Sequence, residues 1–190
     1  MAMILASQSP RRRELLGQMG FSFTVRPARG EELPHPELTP AQLVEELARQ
    51  KALEVSAGAD ADDVVVAADT VVAVDGTVLG KPRDRAHAAE MLSALSGREH
   101  TVYTGVAVKR GEKLLVEHEA TLVRFRPLTQ REIHLYIQTG EPMDKAGGYG
   151  IQGYGALLVE GIRGDYFNVV GLPICRLGRM LAQVGEDALT

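Results

Sequence analysis

The sequence predicts an α/β domain built on a mixed, elongated sheet with flanking helices. Three observations carry that expectation. Short apolar runs bounded by turn residues, such as Met3–Ala6 and Val64–Ala68, have the character of buried strands. Between such runs lie segments with helical start and stop residues, so strands and helices interleave. Two turns, Asp75-Gly76 and Arg110-Gly111, each separate two strand-like runs and so predict hairpins, which add antiparallel members to the sheet.

Taken in order, Met3–Ala6 is the first strand and Ser7-Gln8-Ser9-Pro10 breaks it. Ser9 is suited to cap a helix over Pro10–Met19 that turns Leu15, Leu16 and Met19 inward and ends at Gly20. Residues 26–38, rich in Pro, Gly and Glu, read as a loop. Thr39-Pro40 opens a second helix with Leu43, Leu47 and Leu53 on its apolar side. Val64–Ala68 is a strand buried on both faces; it runs into Asp69-Thr70, resumes as Val71–Val74 and returns through Thr77–Leu79. Asp84 caps a helix through Ala86–Leu95, stopped by Gly97. Thr101–Lys109 and Lys113–Phe125 are the next two strands, and Thr129 opens a helix through Tyr136. A glycine-rich segment, Gly147–Gly155, precedes a strand over Leu157–Ile162, and Gly171-Leu172-Pro173 leads into a last helix to about Gln183. The expectation is one domain over residues 1–190, with two lobes around a cleft and the smaller lobe at about 80–135.

Composition narrows the function classes. An apolar fraction of 45% and a charged fraction of 24% are ordinary for a globular protein. A net charge of −4 and an aromatic content of 5% argue against a nucleic-acid binder. A small anion remains allowed, because local cations act even inside an acidic protein. The single cysteine, Cys175, excludes an internal disulfide, and its apolar surroundings predict a buried side chain. No apolar run approaches the roughly 20 residues of a membrane span. Arg11–Arg13 follow the short apolar start rather than precede it, unlike a secretory signal. A cytoplasmic protein without a membrane partner is expected.

The residues that suggest chemistry fall in a few places. Ser7, Ser9, Arg11 and Arg12 surround a predicted helix N-terminus, where backbone amides and the helix dipole favour an anion. Arginines there oppose the dipole, which a bound phosphate would offset; a solvated helix start is the alternative. Asp69 interrupts an apolar run, where an unpaired carboxylate is costly. It would hold a divalent metal or activate water at the C-terminal end of a strand, or else serve a structural bend. Glu31-Glu32 would add a second oxygen ligand, or be solvated loop charge. Lys51, Lys81 and Lys145 are candidate phosphate contacts, or surface charges. The run Gly147–Gly153 allows close backbone approach, and Gln152 offers a donor and an acceptor to a nucleobase edge. The five histidines have no ligand spacing, and neither a phosphate-binding GxxxxGK loop nor a nucleophile elbow occurs.

In combination these segments resemble the Maf family. The resemblance rests on Leu5-Ala6-Ser7-Gln8-Ser9-Pro10-Arg11-Arg12, Ala68-Asp69-Thr70, Gly80-Lys81-Pro82, Leu95-Ser96-Gly97 and Glu141-Pro142-Met143-Asp144-Lys145-Ala146-Gly147. Tyr149-Gly150-Ile151-Gln152-Gly153, Gly164-Asp165-Tyr166 and Val170-Gly171-Leu172-Pro173 complete it, in order, over about residues 4–180. Gly148 departs from the alanine common in the family. The resemblance implies a fold similar to inosine triphosphate pyrophosphatases, a homodimer, and nucleoside triphosphate pyrophosphatase activity with Mg²⁺ or Mn²⁺. It implies Asp69 as proton acceptor and Glu32 as a further site position; the metal-ligand reading of Glu32 and Asp69 comes from the residues themselves. Arg11, Thr70 and Gln152 match positions tied to substrate choice, and Ser7, Arg12, Lys51 and Lys81 match other site positions. Thr70 resembles the branch acting on dTTP and UTP. The alternatives are 7-methyl-GTP or a non-canonical purine as substrate, or a non-catalytic regulator of septum formation.

Overall fold

The computed structural model describes residues 1–30, 35–187 and 189. In chain order the elements are β1 (Met3–Leu5), α1 (Pro10–Gln18), β2 (Phe23–Val25), α2 (Pro40–Ser56), β3 (Val64–Val74), β4 (Thr77–Leu79), α3 (Arg85–Leu95), β5 (Glu99–Arg110), β6 (Lys113–Phe125), α4 (Gln130–Gln138), β7 (Val159–Arg163), α5 (Tyr166–Val170) and α6 (Ile174–Gln183). Three short 3-10 turns, Glu141–Asp144, Ala146–Gly148 and Gly153–Leu157, lie between α4 and β7. The strands form one sheet in the order β2-β1-β3-β5-β6-β7, with β4 paired to β3. β1 runs parallel to β2 and β3, while β4 and β7 run antiparallel to β3 and β6. The sheet is mixed, as the hairpin signals require.

Local signals set the element ends. The Ser9 hydroxyl accepts from the Arg12 amide, and the Asp84 carboxylate accepts from the His87 amide. Thr39 and Thr129 each form a full capping box, with Gln42 and Glu132 respectively. The Asp75-Gly76 turn has φ 50 and 76°, the left-handed pair of a tight hairpin.

Two compact units divide the chain. The first comprises Met1–Asp69, Thr104–Glu119 and Gly171–Thr190. In it, Ile4, Ala6, Val65, Ala67 and Ala107 of the sheet meet Ala48, Ala52 and Val55 of α2. The contact is close because the facing residues are small. A Cβ on Gly105 of β5 would collide with the backbone carbonyl of Val44. The buried stripe of α2 is Val44, Leu47, Ala48, Ala52 and Val55. Leu53, expected inward, is 36% exposed, and Leu43 is only half buried. Alanines let the helix lie against the sheet, which a leucine face would hold away.

The second unit comprises Thr70–Tyr103 and Ala120–Val170. Its core joins Leu92 and Leu95 of α3, Ile133, Tyr136 and Ile137 of α4, and Val102, Val123, Phe125 and Tyr149. His100 is buried in this unit, with Nε2 2.6 Å from the Tyr149 hydroxyl and its ring edge-on to Phe125.

Three expectations need correction, and one strand was not foreseen. β3 is continuous through Asp69 and Thr70, so Asp69 lies within a strand and not at its end. Residues 23–25 form β2, which its half-exposed side chains gave no pattern to reveal. The strand after the glycine-rich segment starts at Val159, because Leu157 ends a 3-10 turn. Cys175 is exposed, since α6 buries Leu177, Met180 and Leu181 and residue 175 lies about 200° around the helix from 177.

Candidate active site

The first cluster is the turn between β1 and α1. Ser7, 8% exposed, follows directly on the buried strand. Its hydroxyl oxygen accepts from the Ser9 amide at 3.2 Å and from Arg12 Nη1 at 3.3 Å. Both bonds use acceptor capacity, and the hydroxyl retains its capacity to donate. Arg12 also donates from Nε to the Gly171 carbonyl at 2.8 Å, which ties the turn to the segment before α6. Arg12 is thus an organiser of the turn as well as a cation beside it. Arg11 is half buried in the first turn of α1, which holds no acidic residue. The combination is a serine hydroxyl, two guanidinium groups and a helix N-terminus, a set suited to phosphate oxygens.

The second cluster is an ion pair that sequence reasoning missed. Lys51 Nζ donates to Asp69 Oδ1 at 2.5 Å, with side chains 20% and 12% exposed. Strand alternation places Asp69 with Val65 and Ala67, on the face that α2 covers. Lys51 lies on the covering stripe of α2, four residues after Leu47 and three after Ala48. A lysine at a buried helical register and a carboxylate in a buried strand were each visible in the sequence. Their shared face was not, because the helix stripe had been set by its leucines. The buried carboxylate therefore has a cationic partner, which offsets part of the cost of placing it there.

The second unit holds the remaining candidates. Thr70 is half buried and, next to Asp69 on β3, points to the opposite face. Lys81 is exposed in the turn between β4 and α3. The Gly147 amide donates to the Gly80 carbonyl at 3.0 Å, which fixes that turn beside the glycine-rich segment. Gly147 has φ 71°, and a Cβ there would lie 2.8 Å from Val72 Cγ2, so only glycine fits. The Lys145 ammonium donates to the Glu141 carbonyl and to Asp144 Oδ1, both at 2.8 Å. Gln152 is exposed, and its side chain makes no cap to the turn that follows it. Glu141, unassigned in the sequence reading, accepts from Tyr136, Tyr154 and Gly155.

Glu32 lies outside the described residues. Among the described residues, no group of three His, Cys, Asp or Glu side chains is placed to hold a metal, and no helix is long and apolar enough to cross a membrane.

A serine- and arginine-lined helix N-terminus with a nearly buried carboxylate–lysine pair, on an α/β sheet, defines a protein equipped to handle a small polyanion. The chain belongs to the family described as Maf-like protein, whose model matches residues 2–184. It is 55% identical over 192 residues to the dTTP/UTP pyrophosphatase of Symbiobacterium thermophilum, covering 99% of this chain and 96% of that one. It is 56% identical over 188 residues to the dTTP/UTP pyrophosphatase of Moorella thermoacetica, covering 97% and 96%. Among solved structures, a nucleoside-triphosphatase / dITP/XTP pyrophosphatase from Mycobacterium abscessus aligns over 97% of each chain, with a TM-score of 0.47 and 19% identity.

Proposed function

We propose that this protein hydrolyses dTTP and UTP to the nucleoside monophosphate and pyrophosphate. The observation that carries the reading is the Lys51–Asp69 pair, a carboxylate fixed inside a strand by a lysine of the covering helix. Relatives more than half identical over nearly the whole chain, named for this activity, support the same substrates. In the reaction a water oxygen bonds to the α-phosphorus while the bond from that phosphorus to the bridging oxygen breaks. Pyrophosphate leaves, and the water proton passes to Asp69. Lys51 orients the carboxylate through Oδ1. Ser7, Arg11, Arg12, Lys81 and Lys145 serve the phosphates, and Thr70 and Gln152 serve the base. Charge that develops on the phosphate oxygens is met by groups already in place.

A divalent cation, Mg²⁺ or Mn²⁺, fits the donor set. Lys51 engages one Asp69 oxygen, so the second can ligate a hard cation. One or two protein carboxylates with substrate phosphates are the usual complement for magnesium, and Glu32 is the proposed second ligand. When bound, such an ion would polarise a phosphoryl oxygen and offset negative charge. The family resemblance further supports a cytoplasmic homodimer acting on a free nucleotide, without nucleic acid or membrane.

The test is product analysis by chromatography across natural and modified nucleoside triphosphates, 7-methyl-GTP included, with and without chelator. The expected outcome is dTMP or UMP with pyrophosphate, abolished by exhaustive chelation and restored by Mg²⁺ or Mn²⁺. A diphosphate with free phosphate as product would overturn the proposed cleavage, and full activity in chelator would overturn the metal requirement.

A further inference from the structure

We infer that Glu141, acting with Tyr136, is the positioning residue that sets base selectivity, by fixing the turn from which Gln152 projects. The inference rests on the reading of Gln152 as a base contact.

The network lies wholly within the second unit. Glu141 Oε1 accepts from the Tyr136 hydroxyl at 2.8 Å and from the Gly155 amide at 2.9 Å. Its Oε2 accepts from the Tyr154 amide at 3.0 Å. The Tyr136 hydroxyl in turn accepts from the Gly150 amide at 3.2 Å. Two side chains thereby hold three backbone amides: Gly150, two residues before Gln152, and Tyr154 and Gly155, two and three residues after it. Gln152 itself stays exposed.

Each part suits that task. A carboxylate only accepts, and its bonds to amides are charge-assisted, so it can hold several donors in fixed directions. Burial raises the Tyr136 pKa far above its ordinary value, which keeps the hydroxyl proton in place to donate to Glu141. The turn has no spare room around these groups. A Cβ on Gly153, at φ 62°, would lie 2.6 Å from Glu141 Oε2, and one on Gly155 would lie 2.9 Å from the Tyr136 hydroxyl. Lys145 reinforces the frame, because its ammonium donates to the Glu141 backbone carbonyl at 2.8 Å. A side chain meant to read a base edge needs its backbone held, and here the holding groups come from α4 and the 3-10 turn beyond it.

The test measures kcat and KM for dTTP, UTP and dCTP in Glu141→Ala, Glu141→Gln, Tyr136→Phe, Gln152→Ala and the Glu141→Ala/Gln152→Ala double variant. Melting temperatures are taken on the same samples. Glu141→Ala should lower kcat/KM for dTTP and UTP roughly 10- to 100-fold, mainly through KM, with a much smaller effect on dCTP. Glu141→Gln keeps one acceptor oxygen and should recover part of the loss, and Tyr136→Phe should show an intermediate loss. If Glu141 acts through Gln152, adding Glu141→Ala to Gln152→Ala should cost less than about 3-fold more. Should Glu141→Ala fail to fold, the Gln and Phe variants carry the comparison. A selectivity shift in Gln152→Ala with none in the folded Glu141 and Tyr136 variants would overturn this inference alone. Unchanged selectivity in Gln152→Ala would overturn the base-contact reading and the inference with it. An equal loss on every nucleotide would show a purely structural role.

Discussion

Asp69 occupies a position that hydrophobicity alone would give to valine. It is 9% exposed in the middle of β3, among Val66, Ala67, Ala68 and Val71. The Lys51 ammonium makes this tolerable, and it changes what substitution should do. Asp69→Asn keeps the shape but removes the carboxylate charge that faces the Lys51 ammonium, itself only 20% exposed. The expected outcome is a folded protein, less stable by about 1–3 kcal/mol, in which kcat falls about 10²- to 10⁴-fold. Melting temperature and kcat on one sample separate the two effects. A folded Asn variant that retains more than about a tenth of turnover, short of the loss general-base removal causes, would refute the catalytic role.

At the scale of the element, the closest fit is α2 on the sheet. Gly105 lies so near the α2 backbone that an added Cβ would meet the Val44 carbonyl and come 2.7 Å from the Glu45 amide. Backbone cannot change rotamer, so Gly105→Ala should cost about 3 kcal/mol, read as a lower denaturant midpoint with an unchanged slope. A change below about 0.5 kcal/mol, the range of an ordinary surface substitution, would show that the helix stands further off. This element also shows what the sequence could and could not disclose. Helix starts were legible because caps are local: Ser9, Thr39, Asp84 and Thr129 each bond within a few residues. The inward face of α2 was not, because Ala48 and Ala52 face the core by virtue of being small, while Leu53 looks apolar and faces out. α5 was missed, although Asp165 signals it by accepting from the Phe167 and Asn168 amides.

At the scale of the whole molecule, acid should expose a weakness in the second unit's core. Burial lowers the His100 pKa from 6.5 to about 4, and its Nδ1 has no hydrogen-bond partner among the described residues. Between those pH values the unfolded chain binds a proton that the folded protein refuses. The contribution of His100 is therefore complete above about pH 6.5 and declines on acidification, by roughly 3 kcal/mol at pH 4. His100→Gln should flatten the fall in melting temperature from pH 6.5 to 4; curves that stay parallel to wild type would refute this. The candidate residues themselves were legible one at a time, from a cation, an acid or a glycine in an odd place. The Lys51–Asp69 pairing and the Glu141 network were not, since both depend on which faces of separate elements come together.

The first unit is assembled from three stretches of chain, and the last of them begins at Gly171. During synthesis, Ser7 and Arg12 emerge early, yet the carbonyl that Arg12 grips belongs to Gly171, 159 residues later. All segments of the second unit are synthesised before that carbonyl exists. The serine- and arginine-lined turn is therefore among the last features to reach its final form on the nascent chain. A polypeptide released at Val170 would contain every residue proposed for chemistry and would lack the anchor that organises its N-terminal turn.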